Sequence, residues 1–274
     1  MKPRQGRKGR LPAADPRLVR LCVLNGVRSA PRFMERLKDT LSGILEAQGL
    51  NVRARVLFPY DDWHRRLLPQ LREARYDIML PYRKYGRSIG GMKTIAALEA
   101  DRAEGTRGRE IAVFVGHSAG GVAAVHAAGL LLAREGGPPS PVVMIGSPKC
   151  RIPQALRDSV LYVQAERMKP PSIEREPDRP ERAYDAPGGR TSDPVCRIGS
   201  FGGWSRDAGR LLPGWRADRH APGARAAVRI VGGHADYFRE GAIHAKPDGR
   251  TNMEETIATI LPWLNEQLAE RLER

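Results

Sequence analysis

Residues 110–133 read EIAVFVGHSAGGVAAVHAAGLLLA, and three kinds of sequence follow one another in them. Ile111 to Val115 is a short apolar run rich in β-branched residues, the length of a buried strand. The Ala-rich apolar segment that ends at Ala133 is long enough for a buried helix. Between them stands Gly116-His117-Ser118-Ala119-Gly120, the G-x-S-x-G pattern in a strand-to-helix setting. So sharp a turn forces its central residue into a strained backbone conformation, and flanking glycines remove side chains that would collide with strand and helix. Ser118 is therefore expected to project from the sheet edge at a helix N-terminus, where free N–H groups favour developing negative charge.

Outward from this stretch the chain alternates strand and helix patterns. Leu18 to Leu24 reads as the first buried strand, interrupted by Arg20, with Asn25-Gly26-Val27-Arg28-Ser29 as the loop leaving it. A helix follows over 32–48, with Phe33, Leu37, Leu41, Ile44 and Leu45 on one face and Gly49 ending it. Val52 to Phe58 alternates apolar and basic residues, as an edge strand does. Trp63 to Ala74 reads as a short helix and Tyr76 to Leu80 as a strand. Pro81 to Gly91 is a basic, tyrosine-bearing loop, read as a cover, an anion site or a solvated connection. Met92 to Ala103 reads as helix. Val142 to Ile145, Val160 to Val163 and Ala226 to Val231 read as further strands. Met253 to Arg274 is an amphipathic helix, with a kink expected at Pro262. Strands alternating with helices imply an α/β fold, a mostly parallel sheet covered on both faces.

The chain has 274 residues, enough to bury a substantial core in one α/β domain. Residues 1–16 read as a disordered basic arm, and 17–274 as the domain, with 167–191, rich in Pro and charge, as a surface insertion. Forty-six Lys and Arg against thirty-one Asp and Glu give a net charge of +15. No nucleic-acid motif accompanies that charge and aromatic residues do not interleave with it, so no nucleic-acid partner is expected. The charge reads first as an arginine-rich composition spread over solvated faces, with a weak association with an anionic surface, through Arg4 to Arg10 and Arg83 to Arg87, as the alternative. Three scattered cysteines argue against a disulfide framework and fit a reducing compartment. With no apolar signal segment and no long apolar span, the expectation is a cytoplasmic protein.

A serine hydroxyl needs a base within hydrogen-bond reach. Of six histidines, His64 and His126 fall in predicted helices, His220 and His244 in polar irregular segments, and His117 alternates away from Ser118. His234 alone follows a terminal buried strand, where a parallel sheet presents functional groups. The base needs a carboxylate to hold its tautomer, and in α/β-hydrolases the chain order is Ser, then Asp or Glu, then His. Asp193, stiffened by Pro194, fits that order, and Glu166 just beyond the strand at Val160 to Val163 is the alternative acid. Oxyanion donors are expected from the backbone N–H of Ala119 and from Gly26 or Val27. There is no H-E-x-x-H and the cysteines are scattered, so no metal site is expected.

Gly116-His117-Ser118-Ala119-Gly120-Gly121, Gly146-Ser147-Pro148, Asp193-Pro194-Val195, and His234 followed by Tyr237-Phe238 occur in that order. Together they resemble the pattern of fungal-type (class 3) lipases. The resemblance spans roughly Ile111 to Phe238 and implies an α/β-hydrolase fold without a cofactor. It also implies Ser118 as nucleophile, Asp193 as acid and His234 as base, with a small-molecule or lipid carboxylic ester as substrate.

Overall fold

A computed structural model of the chain describes residues 18–103, 110–166, 191–205 and 212–273. Six strands form one sheet: β1 (Leu18–Leu24), β2 (Asn51–Leu57), β3 (Glu110–His117), β4 (Val142–Ile145), β5 (Val160–Glu166) and β8 (Ala224–Arg229). Their order is β2-β1-β3-β4-β5-β8 and every pairing is parallel. The short pair β6 (Gly203–Ser205) and β7 (Gly214–Arg216) stands apart as an antiparallel ribbon. The helices are α1 (Glu35–Ala47), α2 (Leu67–Met79), α3 (Ile89–Ala103), α4 (Ala119–Glu135) and α5 (Asn252–Leu272). This is the α/β class read from the sequence, in an arrangement compatible with the α/β-hydrolase fold.

Alternation along the strands sorts the core into two layers. Val19, Leu21 and Val23 of β1 pack with Val113, Val115, α1 and α5. Cys22 and Leu24 face the other way, with Phe114, α3 and α4. Arg20 shares that second face, where it is buried and ion-paired to Asp101 of α3 and to Glu110. An arginine inside a core strand is thus matched by two carboxylates rather than left unpaired. Cys22, Cys150 and Cys196 are buried free thiols.

The sheet order changes direction between β1 and β3, because the chain goes from β1 outward to β2 and returns on the far side. In register, Leu24 lies beside Gly116, His117 beside Ile145, and Ile145 beside Val163. The carboxyl ends of four strands therefore finish on one edge, and the loops leaving them open around the switch point, where such sheets bind ligands.

Several elements differ from the sequence reading. The second helix runs over Leu67–Met79, so the strand expected at Tyr76 to Leu80 is its last turn, and His64 lies in the turn before it. The cause is an inverted pattern. Its inward residues are Gln70, Ala74 and Asp77, spaced as a helix requires but mostly polar, whereas Leu68, Leu71, Tyr76 and Met79 face solvent. The loop over 81–91 is divided between a 3₁₀ turn over Tyr82–Arg87 and the start of α3. The last sheet strand begins and ends two residues earlier than expected, and α5 continues across Pro262. The arm 1–16 and residues 167–190 lie outside the described residues. Thr191, at the edge of the expected insertion, belongs to the packed fold: it is buried, bridges to Glu166 and donates to Ala165 O at 2.9 Å. Among the described residues no helix is long and apolar enough to cross a membrane.

Asp77 explains why α2 turns a polar stripe inward. Its carboxylate accepts from Ile89 N at 3.0 Å and Gly90 N at 2.8 Å, the free donors at the start of α3. It also accepts from Tyr60 OH and Ser88 Oγ, both at 2.9 Å. Ser88 has one hydroxyl proton, given to Asp77, so His126 Nδ1, 2.8 Å from Ser88 Oγ, is the protonated nitrogen and donates to it. Replacing Asp77 with Ala strands four buried donors. We expect a loss of about 3 kcal/mol in urea unfolding with an unchanged m value; a loss below about 1 kcal/mol would show that the donors find other acceptors.

Candidate active site

The turn between β3 and α4 consists of Ser118 alone, at φ 56° and ψ −135°. Non-glycine residues rarely occupy this region, and the surrounding packing enforces it. A Cβ on Gly116 would stand 2.4 Å from the carbonyl of Gly120, and one on Gly120 would stand 2.3 Å from Leu24 O. The elbow therefore closes against the end of β1 with no room for a methyl group. Gly26 approaches from the loop after β1, where a Cβ would lie 2.6 Å from Ser118 Cβ and 3.0 Å from Ser118 Oγ. That loop is tied to α2 by Arg28 N, which donates to Gln70 Oε1 at 2.7 Å, while Gln70 Nε2 donates to Asp62 O at 2.6 Å. Gly26 N, Val27 N and Ala119 N have no backbone acceptor among the described residues. Asn25, beside them, is fully buried with neither side-chain polar atom partnered.

His234 sits in the turn after β8, in a segment that Asn252 at the start of α5 holds at both ends. The Asn252 amide donates to Val231 O and to Asp236 O, and Val231 N donates back to it, each at 2.8 Å. Gly232, at φ +112°, admits Asp236, whose carboxylate accepts from Gly233 N at 2.8 Å. His234 is part-exposed (27%), and its Nδ1 lies 2.8 Å from Oδ2 of Asp193.

Asp193 is 1% exposed. Its Oδ1 accepts from Val195 N at 2.9 Å, its Oδ2 also accepts from Tyr237 OH at 3.0 Å, and its own N–H donates to Thr191 Oγ1 at 3.1 Å. Burial alone would raise its pKa, but the bonds from His234, Val195 and Tyr237, with the charge of His234, outweigh burial and hold it below the usual carboxylate range. Glu166 is elsewhere: it is part-exposed, pairs in register with Arg229 and lies 3.9 Å from that guanidinium.

His117 connects the two halves of the site. Its ring stacks on that of His234 with centroids 4.6 Å apart. A carbonyl only accepts, so His117 Nε2, 2.9 Å from His234 O, is its protonated nitrogen. Burial pushes the His117 pKa down to about 3, so the ring under His234 stays neutral. Phe33 and Phe238 close the remaining sides of His117.

Ser118, Gly26, Val27, Ala119, His234 and Asp193 thus belong to one edge of the sheet, and Glu166 has no contact with the histidine. Thr191, Tyr237, Asn252 and His117 were not assigned roles from the sequence. Tyr237 stands three residues after His234, a spacing visible in the chain, whereas nothing local marks Asn252 or Thr191. Among the described residues no group of three or more His, Cys, Asp or Glu side chains could hold a metal ion. Compared with known proteins, the chain matches no protein-family model and no curated protein.

Two measurements follow from this geometry. Ser118→Gly relieves the positive φ, and we expect it to raise unfolding free energy by about 1 kcal/mol; a destabilised variant would show that the serine hydroxyl supports the turn. His117 and His126 are both buried, with pKa values pushed from 6.5 down to about 3. Between those pH values the unfolded chain binds protons that the folded chain refuses, so stability falls as pH is lowered through the window. Each histidine contributes about 1.4 kcal/mol per pH unit. His126→Asn, which keeps a donor for Ser88, should remove one proton from the slope of stability against pH. An unchanged slope would contradict the assignment.

Proposed function

We propose that the protein is a serine hydrolase of the α/β-hydrolase superfamily, related to fungal-type (class 3) lipases and acting on a carboxylic ester. The observation that carries this reading is a buried carboxylate 2.8 Å from His234 Nδ1, beside an elbow that holds Ser118 at φ 56°. Asp193 fixes the imidazole with its proton on Nδ1, which leaves Nε2 to exchange protons with Ser118. The serine oxygen attacks the ester carbonyl as His234 takes its proton, and the imidazolium is stabilised by Asp193 beneath it. The N–H groups of Ala119 and of Gly26 or Val27 receive the oxyanion. His234 gives the proton to the departing alcohol, and water activated by the same imidazole releases the acyl group. The neutral His117 ring adds no competing charge as the imidazolium forms.

A fluorophosphonate probe is expected to label the wild type and not Ser118→Ala. In a series of nitrophenyl esters, Asp193→Asn should lower kcat by about 10⁴-fold, while Glu166→Gln should stay within about threefold of the wild type, as a substitution remote from the reacting atoms. Folded protein that neither labels nor turns over any ester of the series would leave a non-catalytic binding protein on the same fold.

A further inference from the structure

The outward face of α2 has an uncommon composition for a helix at the surface. Leu68 is 73% exposed and Met79 67%, with Leu71 and Tyr76 also exposed between them. They recur at helical spacing on the side opposite Gln70, Ala74 and Asp77, so they form one stripe. Trp63, in the turn before the helix, is a further exposed ring. The fold does not require these side chains to be apolar, because the helix is anchored by its polar stripe. In water they are a liability that polar residues would remove.

Cations are set among them. Arg72, Arg75, Lys84 and Arg87 line a cleft of about 500 Å³ together with Tyr76 and Met79. Lys84 and Arg87 belong to the basic half of the 81–91 segment, in the 3₁₀ turn Tyr82–Arg87. None of the four has a carboxylate partner among the described residues, whereas Arg65, just before α2, is ion-paired to Glu73. Unpaired guanidinium and ammonium groups beside exposed Leu, Met, Tyr and Trp have one matching counterpart, a surface with anionic headgroups above hydrocarbon. A nucleic acid would use the cations but has nothing for Leu68 and Met79 to enter.

We propose that α2 and the 3₁₀ turn that follows dock the protein on an anionic lipid surface. Docking does not depend on the reactivity of Ser118, although Gln70 links the same helix to the loop carrying Gly26. The test is co-sedimentation of the full chain with vesicles of phosphatidylcholine alone or mixed with phosphatidylglycerol. Leu68→Asn with Met79→Asn leaves net charge unchanged and is expected to weaken partition into mixed vesicles about tenfold or more. Arg72→Gln with Arg75→Gln should do likewise. Arg53→Gln with Arg229→Gln removes the same charge elsewhere and should have little effect. Ser118→Ala should bind as the wild type, which separates this result from that of the ester assay. Circular dichroism identifies any variant that has not folded, and Leu71→Asn or Lys84→Gln then takes its place. Equal losses in all arginine pairs, or no loss in the leucine–methionine pair, would overturn the proposal in favour of diffuse attraction. A dimer that the leucine–methionine pair converts to monomer would overturn it in favour of self-association. Oligonucleotide binding that only the Arg72–Arg75 pair abolishes, without vesicle binding, would overturn it in favour of nucleic acid.

Discussion

The candidate site depends on a close approach at the end of β3, where the loop after β1 and the start of α4 leave no room for added side chains. Three glycines allow it: Gly116 under the carbonyl of Gly120, Gly120 against Leu24 O, and Gly26 against Ser118. Each excludes a Cβ, so β1, β3 and α4 meet at a separation that no other residue permits. The strained φ of Ser118 follows, because the chain has no relaxed path from strand to helix at that separation. The sheet switch point falls at the same place. Much of the site's geometry is therefore a consequence of packing at one turn.

The second half of the site is governed by electrostatics. A carboxylate buried as deeply as Asp193 would ordinarily take up a proton. Donors from Val195, Tyr237 and His234 keep it charged. Tyr237 is suited to this because burial raises its own pKa, so it remains a donor, while its oxygen accepts from Ala165 N at 2.8 Å. The charge is thus held by Val195 of the 3₁₀ turn after Pro194 and by His234 and Tyr237 of the segment before α5, with β5 fixing Tyr237 in turn.

That distribution accounts for what could be read from the chain. The elbow is legible because its strand, glycines and helix are contiguous, and the parallel sheet is legible because apolar runs alternate with helical patterns. His234 could be singled out by its place after a terminal strand. Asp193 and Glu166 could not be separated by order alone, since the difference lies in three donors that only folding assembles. Helix α2 was misread for a related reason: hydrophobic periodicity assumes that apolar residues face inward, and here Gln70 and Asp77 do. A buried carboxylate that collects four donors carries no local sequence signal.

The inversion of α2 has a structural logic that ties the two ends of the molecule's polar interior together. Gln70 must face inward to accept from Arg28 N, and Asp77, two turns further on, must face inward to cap α3. Residues spaced in this way occupy one side of a helix, so once both are buried the apolar side chains of the segment have only the outer side left. The helix is held by directional hydrogen bonds at fixed positions instead of by an apolar stripe. Its outer composition is then free of the demands of folding, and the same bonds that position the loop beside Ser118 leave Leu68 and Met79 in water. The loop beside Ser118 and the apolar, cationic face therefore meet in one helix, whose inner side holds Arg28 through Gln70.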